Sequence, residues 1–369
     1  MSIMNRELSF APRAEKPFSF DLRVQPLRAL QDGEVLVRNL LFSCDPTQMA
    51  WLGGGSSYAP PIRPGDVMRA WTAGHVIESR RPGFASGDRV WGTMGWQDYS
   101  ISNGDGILPL ARVPSDIALS YPLSVTGING VTAHLGVVDV GRVRAGETVV
   151  ISTAAGATGS AAAQIARSCG ARVIGIAGGK EKCEWLTQTL KLAGAIDYKN
   201  EDVEARLAEL CGGGVDFYFD NVGGPTLDAV LAKMAANGRI ALCGATSQYG
   251  GTPTPLRNGM AMLARTLTIR GMLLMNHLDR FAAISAELTE SARAGSLVAK
   301  EDVVQGLENA PSALLRLFEG KNLGKQLVVL EDAASLEPNL LAVARVAPPN
   351  EPVPVIVPIL GMEEQDNLR

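Results

Sequence analysis

Residues 147–166 constrain the fold of this 369-residue chain more than any other stretch. Residues 148–152, Thr-Val-Val-Ile-Ser, form a short β-branched apolar run suited to a buried parallel strand. Small residues then crowd positions 160–167, as a helix packed closely on a sheet requires. Between the two, Ala154, Gly156 and Gly159 spell A-x-G-x-x-G. Gly156 lets the backbone approach a pyrophosphate, Gly159 lets helix and strand touch, and the helix N-terminus offers free N–H groups with partial positive charge. Such a motif is weak alone. A second strand expected over 172–177 supplies the spacing of a βαβ unit, and a dinucleotide-binding turn becomes the preferred reading.

The end of that second strand bears on which dinucleotide is bound. A 2′-hydroxyl calls for an acidic residue about 20 positions after the glycines, whereas a 2′-phosphate calls for its absence and a nearby cation. Here Ala177 is followed by Gly178, Gly179, Lys180, Glu181 and Lys182, with no acid at the strand tip and two lysines beyond it. The competing reading makes both lysines solvated residues of a first helical turn, where the helix dipole disfavours cations. The pattern points to NADP(H).

Before about residue 125 short apolar runs alternate with Gly, Pro and Asp, the signature of an all-β region. Beyond residue 127 strands alternate with helices: helices are expected over 181–192, 203–210, 225–235 and 280–294, and strands over 195–198, 215–221, 238–244 and 267–275. This is α/β patterning, a Rossmann-type doubly wound parallel sheet. Residues 301–329 read as strand, helix and strand able to rejoin the β region. The expected division is therefore 1–126 completed by about 298–332, then 127–297, with 333–369 as an extended or disordered proline-rich tail. The apolar portion 353–360 of that tail is a second-choice docking segment.

A net charge of −4 without a basic block argues against nucleic acid or an anionic membrane as partner. The N-terminus lacks a signal-type apolar stretch, no segment is apolar enough to span a bilayer, and five scattered cysteines suit reduced thiols, so a cytoplasmic protein is expected. Three lone histidines and no cysteine pairs leave no metal site in view, and no G-x-S-x-G elbow points to hydrolysis. Ligands in open α/β sheets bind beyond the strand carboxyl ends. There Asn221 either hydrogen-bonds a cofactor or forms an ordinary Asx turn. Tyr249, in a glycine-rich loop, either lies over a nicotinamide or packs at the surface.

Taken together, these residues resemble the zinc-independent medium-chain reductases, which include prostaglandin, alkenal double-bond and curcumin reductases. The likeness spans about residues 30–330. It is carried by Ser57-Tyr58-Ala59-Pro60-Pro61, Gly65-Asp66-Val67-Met68-Arg69, Gly95-Trp96-Gln97-Asp98-Tyr99-Ser100, the glycine turn, Asp197-Tyr198-Lys199, Asp220-Asn221-Val222-Gly223-Gly224, Ser247-Gln248-Tyr249 and Gly324-Lys325. The resemblance implies a GroES-like β domain beside the Rossmann domain, and a homodimer joined through a sheet edge. It implies that Ala155, Gly156, Ala157, Thr158, Gly159, Gly178, Lys182, Tyr198, Asn221, Tyr249 and Asn322 bind the cofactor, Lys182 and Tyr198 at its 2′-phosphate. Tyr249 and Tyr58 are the implied catalytic residues.

The implied activity is NADPH-dependent reduction of the carbon–carbon double bond of an α,β-unsaturated aldehyde or ketone. Quinone reduction and a catalytically weak NADPH-binding interaction protein are the alternatives. The chain departs from the family in three places. Asp45-Pro46-Thr47-Gln48-Met49 stands where Asp-Pro-Tyr-Met-Arg is common, Asn129-Gly130-Val131-Thr132-Ala133-His134 where Pro-Gly-Leu-Thr-Ala-Tyr is common, and the strand end Arg270-Gly271-Met272-Leu273-Leu274-Met275-Asn276-His277 lacks the usual aspartate.

Overall fold

The apolar strand Thr148–Ser152 lies at the centre of a six-stranded sheet, in a computed structural model that describes residues 3–52, 59–248 and 254–342. The sheet is parallel throughout, in the order Gly194–Asp197, Arg172–Ala177, Thr148–Ser152, Val215–Asp220, Met234–Leu242, Thr268–Gly271. Chain order therefore reverses between Thr148–Ser152 and Val215–Asp220, which opens a crevice at the carboxyl ends of those two strands.

The helix Ala157–Ser168 follows the first strand and is buried at every position from Gly159 to Ala166. Only small side chains allow that. The helix is covered by the sheet on one side and packs against the helix Ile128–His134 on another. Its one large polar residue in this stretch, Gln164, is satisfied: Nε2 donates to Val298 O at 3.0 Å, and Oε1 accepts from Val298 N at 2.8 Å.

A second, mostly antiparallel sheet is built around Val35–Ser43, which pairs with Arg69–Ser79, Tyr99–Ser102 and Lys325–Val329. Glu301–Gln305 extends it beside Lys325–Val329, so the late part of the chain returns to the sheet formed by the early part. The core here is aromatic, with Trp51, Trp96 and Phe42 fully buried and Trp71 beside them.

Some elements differ from expectation. The strand expected over 267–275 ends at Gly271, and the chain goes on to a 3-10 turn over Leu274–His277. The helix expected over 225–235 stops at Leu231, and a strand begins at Met234. Ala235 and Ala236 favour helix, but Met234 pairs with Val215 on the neighbouring strand, and Asn237 turns with φ +60°. Sheet pairing overrides local propensity here. The helix expected over 181–192 is α-helical only over Lys180–Glu184 and continues as a wider π-type turn, Trp185–Thr189.

Gly159 is the tightest point of the first βαβ unit: a Cβ there would sit 2.2 Å from Thr153 O. Gly159→Ala should therefore push the helix from the strand and cost about 1–3 kcal/mol. Urea unfolding reads this as a lower midpoint at unchanged slope, and an unchanged midpoint would overturn the close-approach argument.

Candidate active site

A cavity of about 500 Å³ occupies the crevice, walled by the strand ends of the parallel sheet on one side and by residues of the second sheet on the other. That size suits a bound cofactor or small molecule. Ser152, at the end of the first strand, is wholly buried, and its Oγ accepts the Asn221 N–H at 2.8 Å. Asn221 Nδ2 donates to Ser152 O at 2.7 Å. The two strands flanking the switch point are thus tied together at their tips.

The turn after the fourth strand is made by Asp220. Its Oδ1 accepts N–H from Val222 and Gly223, both at 2.9 Å, and the Tyr218 hydroxyl at 2.8 Å. Burial raises the pKa of this carboxyl, opposed by those hydrogen bonds. Asp220 takes the Asx-turn role, and the Asn221 side chain stands on the cavity wall.

Thr153 adopts φ +50° and its carbonyl accepts the Gly156 N–H at 2.9 Å, closing the glycine turn. Gly156 caps the helix Ala157–Ser168 in extended conformation, with no side chain bonded to the helix end. The first-turn amides of a helix lack partners within it, so this end suits an anion. Across the turn, Gly324 N donates to Ala155 O at 2.8 Å, and Asn322 Nδ2 donates to Gly324 O at 2.9 Å.

The far end of the cavity is formed by Gly178, Lys182, Tyr198 and Gly320. Lys182 Nζ donates to Gly320 O at 2.8 Å. Burial, and then the charge of Lys199, lowers the pKa of this half-buried ammonium. A Cβ on Gly178 would meet the Tyr198 ring at 2.8 Å, and one on Gly320 would lie 3.5 Å from the Tyr198 hydroxyl and 3.6 Å from Lys199 Nζ. Two glycines therefore leave a cradle beside two ammonium groups, fitted to a phosphate. Lys180, the other lysine of the motif, points outward and pairs with Glu184 at 3.6 Å. Asp197, on the neighbouring strand, turns its carboxylate to the Gly179 and Lys199 amides at 2.7 and 3.1 Å and lies off the cavity wall.

One cavity thus gathers Ala155, Gly156, Ala157, Thr158, Gly159, Gly178, Lys182, Tyr198, Asn221 and Asn322. Tyr249 and Tyr58 lie outside the described residues. The sequence reading gave no role to the buried polar groups at the middle of the wall. Lys325, 2% exposed, donates from Nζ to Asp45 Oδ1 at 2.5 Å and Asn129 Oδ1 at 3.0 Å. Asn129 Nδ2 in turn donates to Thr158 Oγ1 at 3.0 Å. A lysine heading the apolar strand Lys325–Val329 was the available signal. The remaining wall is largely apolar, with Trp71, Ile128, Met272, Leu274 and Met275.

Among the described residues no three His, Cys, Asp or Glu side chains gather as a metal site. The histidines are dispersed. His75 bonds Glu337 at 2.9 Å, His134 is buried 3.8 Å from Glu287, and His277 precedes the helix Leu278–Arg293.

Residues 11–110 match a family described as the N-terminal domain of oxidoreductase, and residues 157–290 one described as zinc-binding dehydrogenase. The chain is 35% identical over 334 residues to the NADPH-dependent curcumin reductase of Escherichia coli, covering 88% of this chain and 96% of that one. It is 38% identical to the NADP(+)-dependent 2-alkenal reductase of Nicotiana tabacum over 302 residues, covering 80% and 87%. The crystal structure of CurA from Vibrio vulnificus in complex with NADPH matches with a TM-score of 0.80 at 37% identity, over 88% of this chain and 99% of that one. With this identity sustained over most of its length, and with the crevice, glycine turn and lysine cradle in one cavity, the chain belongs to the medium-chain dehydrogenase/reductase family, beside its curcumin, alkenal and prostaglandin reductases.

Proposed function

We propose that this protein reduces the carbon–carbon double bond of α,β-unsaturated aldehydes or ketones. It is an NADP-dependent oxidoreductase, and the observation that carries the reading is a single cavity with the glycine turn and the lysine cradle at two positions and an apolar wall beside them. NADPH, when bound, supplies the hydride that the β-carbon receives. The turn residues 155–159 hold its diphosphate, Lys182, Tyr198 and Gly178 its 2′-phosphate, and Asn221 and Asn322 bond its ribose or amide groups. No metal enters this scheme.

The oxyanion formed on the substrate needs hydrogen-bond donors, and Tyr249 and Tyr58 are assigned that role by resemblance. Loss of one such donor typically costs about 100-fold to 1,000-fold in rate. Incubation with enals, enones and quinones and NADPH should yield saturated carbonyls from the first two, insensitive to chelator. Tyr249→Phe should depress kcat by that factor with NADPH affinity retained. Hydroquinone as the sole product would replace the substrate assignment, and an unaltered kcat would remove Tyr249 from the reaction.

Lys182→Ala should weaken NADPH by roughly 10-fold to 100-fold while hardly changing NADH, as measured by fluorescence titration. Because burial lowers the Lys182 pKa, its proton is lost at lower pH than that of an ordinary lysine. The preference for NADPH over NADH should therefore narrow as pH rises into the alkaline range in the wild type, and narrow less in Lys182→Ala, where Lys199 alone remains beside the cradle. A wild-type preference independent of alkaline pH would remove Lys182 from the phosphate site.

The same reading divides the chain into a substrate-binding unit, 1–126 with 298–332, and an NADP-binding unit, 127–297. Of the tail expected over 333–369, residues 333–342 instead pack on the β region, with Leu340 buried and Glu337 bonded to His75 and Arg89, and 343–369 lie outside the described residues. Limited proteolysis that cut first within 127–297 would oppose that division. Five unpaired cysteines suit a reducing compartment, and we place the protein in the cytoplasm, which cell fractionation tests. Among the described residues no helix is long and apolar enough to cross a membrane.

We further propose a homodimer through the edge strand Thr268–Gly271, which among the described residues pairs on one side only. Beside it Met260 and Leu263 are 71% and 75% exposed. Light scattering should give a dimer that Leu263→Asp converts to monomer, and a monomeric wild type would end this assignment.

A further inference from the structure

We propose that Asn129 is a positioning residue for the cofactor diphosphate: held by the buried Lys325, it commits the Thr158 hydroxyl to donating into the cleft. The inference rests on the NADP-binding reading above. An ammonium only donates, so the Asn129 atom 3.0 Å from Lys325 Nζ must be the carbonyl oxygen. The amide orientation is therefore dictated by chemistry, and the Asn129 NH2 group faces Thr158 Oγ1 at 3.0 Å. Because Oγ1 accepts that bond, the one hydroxyl proton of Thr158 is left to be given elsewhere. Among the described residues no acceptor takes it.

Thr158 is the second residue of the helix Ala157–Ser168 and lies on the cavity wall. Its proton thus joins the first-turn amides as a donor at the position where a doubly wound fold carries the pyrophosphate. Asp45 completes the relay from behind. Its Oδ1 accepts from Lys325 and its Oδ2 accepts from Ser43 Oγ at 2.5 Å, so the buried Lys325, only 2% exposed, has a carboxylate partner that is itself held in place. Reversing the amide would leave Thr158 facing a carbonyl acceptor, and its proton would be spent inside the wall.

Asn129→Asp makes that reversal without changing shape, since a carboxylate accepts from both Lys325 and Thr158. Calorimetric titration of the full chain should show NADPH affinity falling roughly tenfold. Affinity for adenosine 2′-monophosphate, which reaches the Lys182 cradle but has no diphosphate, should be unchanged. In a Thr158→Val background, already weakened by a similar factor, Asn129→Asp should alter NADPH affinity less than twofold. Thr158→Ser should match the wild type, and this pair of Thr158 variants reads the hydroxyl without disturbing the buried ions. Equal losses from Asn129→Asp in both backgrounds would mean direct charge repulsion and overturn the relay, as would wild-type affinity in Thr158→Val. A wild type that fails to bind NADPH would sink the cofactor reading itself, whereas the other outcomes sink only the relay.

Discussion

The hydrogen bond from Gly324 N to Ala155 O joins the two sheets at the wall of the cavity. It pairs the residue before the strand Lys325–Val329 with the first residues of the glycine turn, as a parallel bridge between Gly156 and Gly324. Only glycine meets the demand at 324. Its φ is +85°, and a Cβ would lie 2.0 Å from Lys300 O. With that crossing in place, the residues before Gly324 run to the phosphate cradle, where Gly320 O receives Lys182, and the residue after it is buried at the centre of the wall.

Lys325 is difficult to justify by stability alone. A buried ion pair returns little beyond the desolvation it incurs, and an apolar pair of similar shape is often as stable. Breaking it from one side is another matter, since a lone buried charge costs about 3–5 kcal/mol. The pair therefore locks register between strands without adding much net free energy. What an apolar replacement could not do is orient an amide, which needs a group of fixed donor or acceptor character.

Much of this was legible in the chain. The β-branched run, the glycine spacing and the alternation of elements pointed to a doubly wound parallel sheet, and the missing acid after Ala177 pointed to NADP(H). The relay was not legible, because Lys325 meets partners 280 and 196 positions away in sequence. Local pattern holds no record of such pairing. The division of labour between Asp220 and Asn221 was equally hidden, since both are small, polar and adjacent. Strand register buries the Asp220 carboxylate under the Val222 and Gly223 amides and leaves Asn221 to reach Ser152. The helix overrun at Ala235 had the opposite cause: a sound local preference lost to a sheet partner in Val215.

Polar anchors are distributed unevenly around the cavity, and that asymmetry bears on selectivity. Lys182 and Lys325 are its cations, and the one carboxylate on its described wall, Asp45, is already engaged by Lys325. An anion entering the cleft therefore meets no unpaired negative charge on those residues. The apolar wall contains Met272 and Met275, whose unbranched side chains repack around different shapes. Binding free energy concentrated on the cofactor holds the reducing end in place whichever acceptor follows, and an adaptable apolar wall discriminates weakly among acceptors of similar size, since one methylene in such a pocket is worth only about 1–3 kcal/mol. On the proposed reading, a cleft with cations at its polar positions and an adaptable apolar wall beside them fits a reductase that takes a class of activated double bonds better than one for a single metabolite.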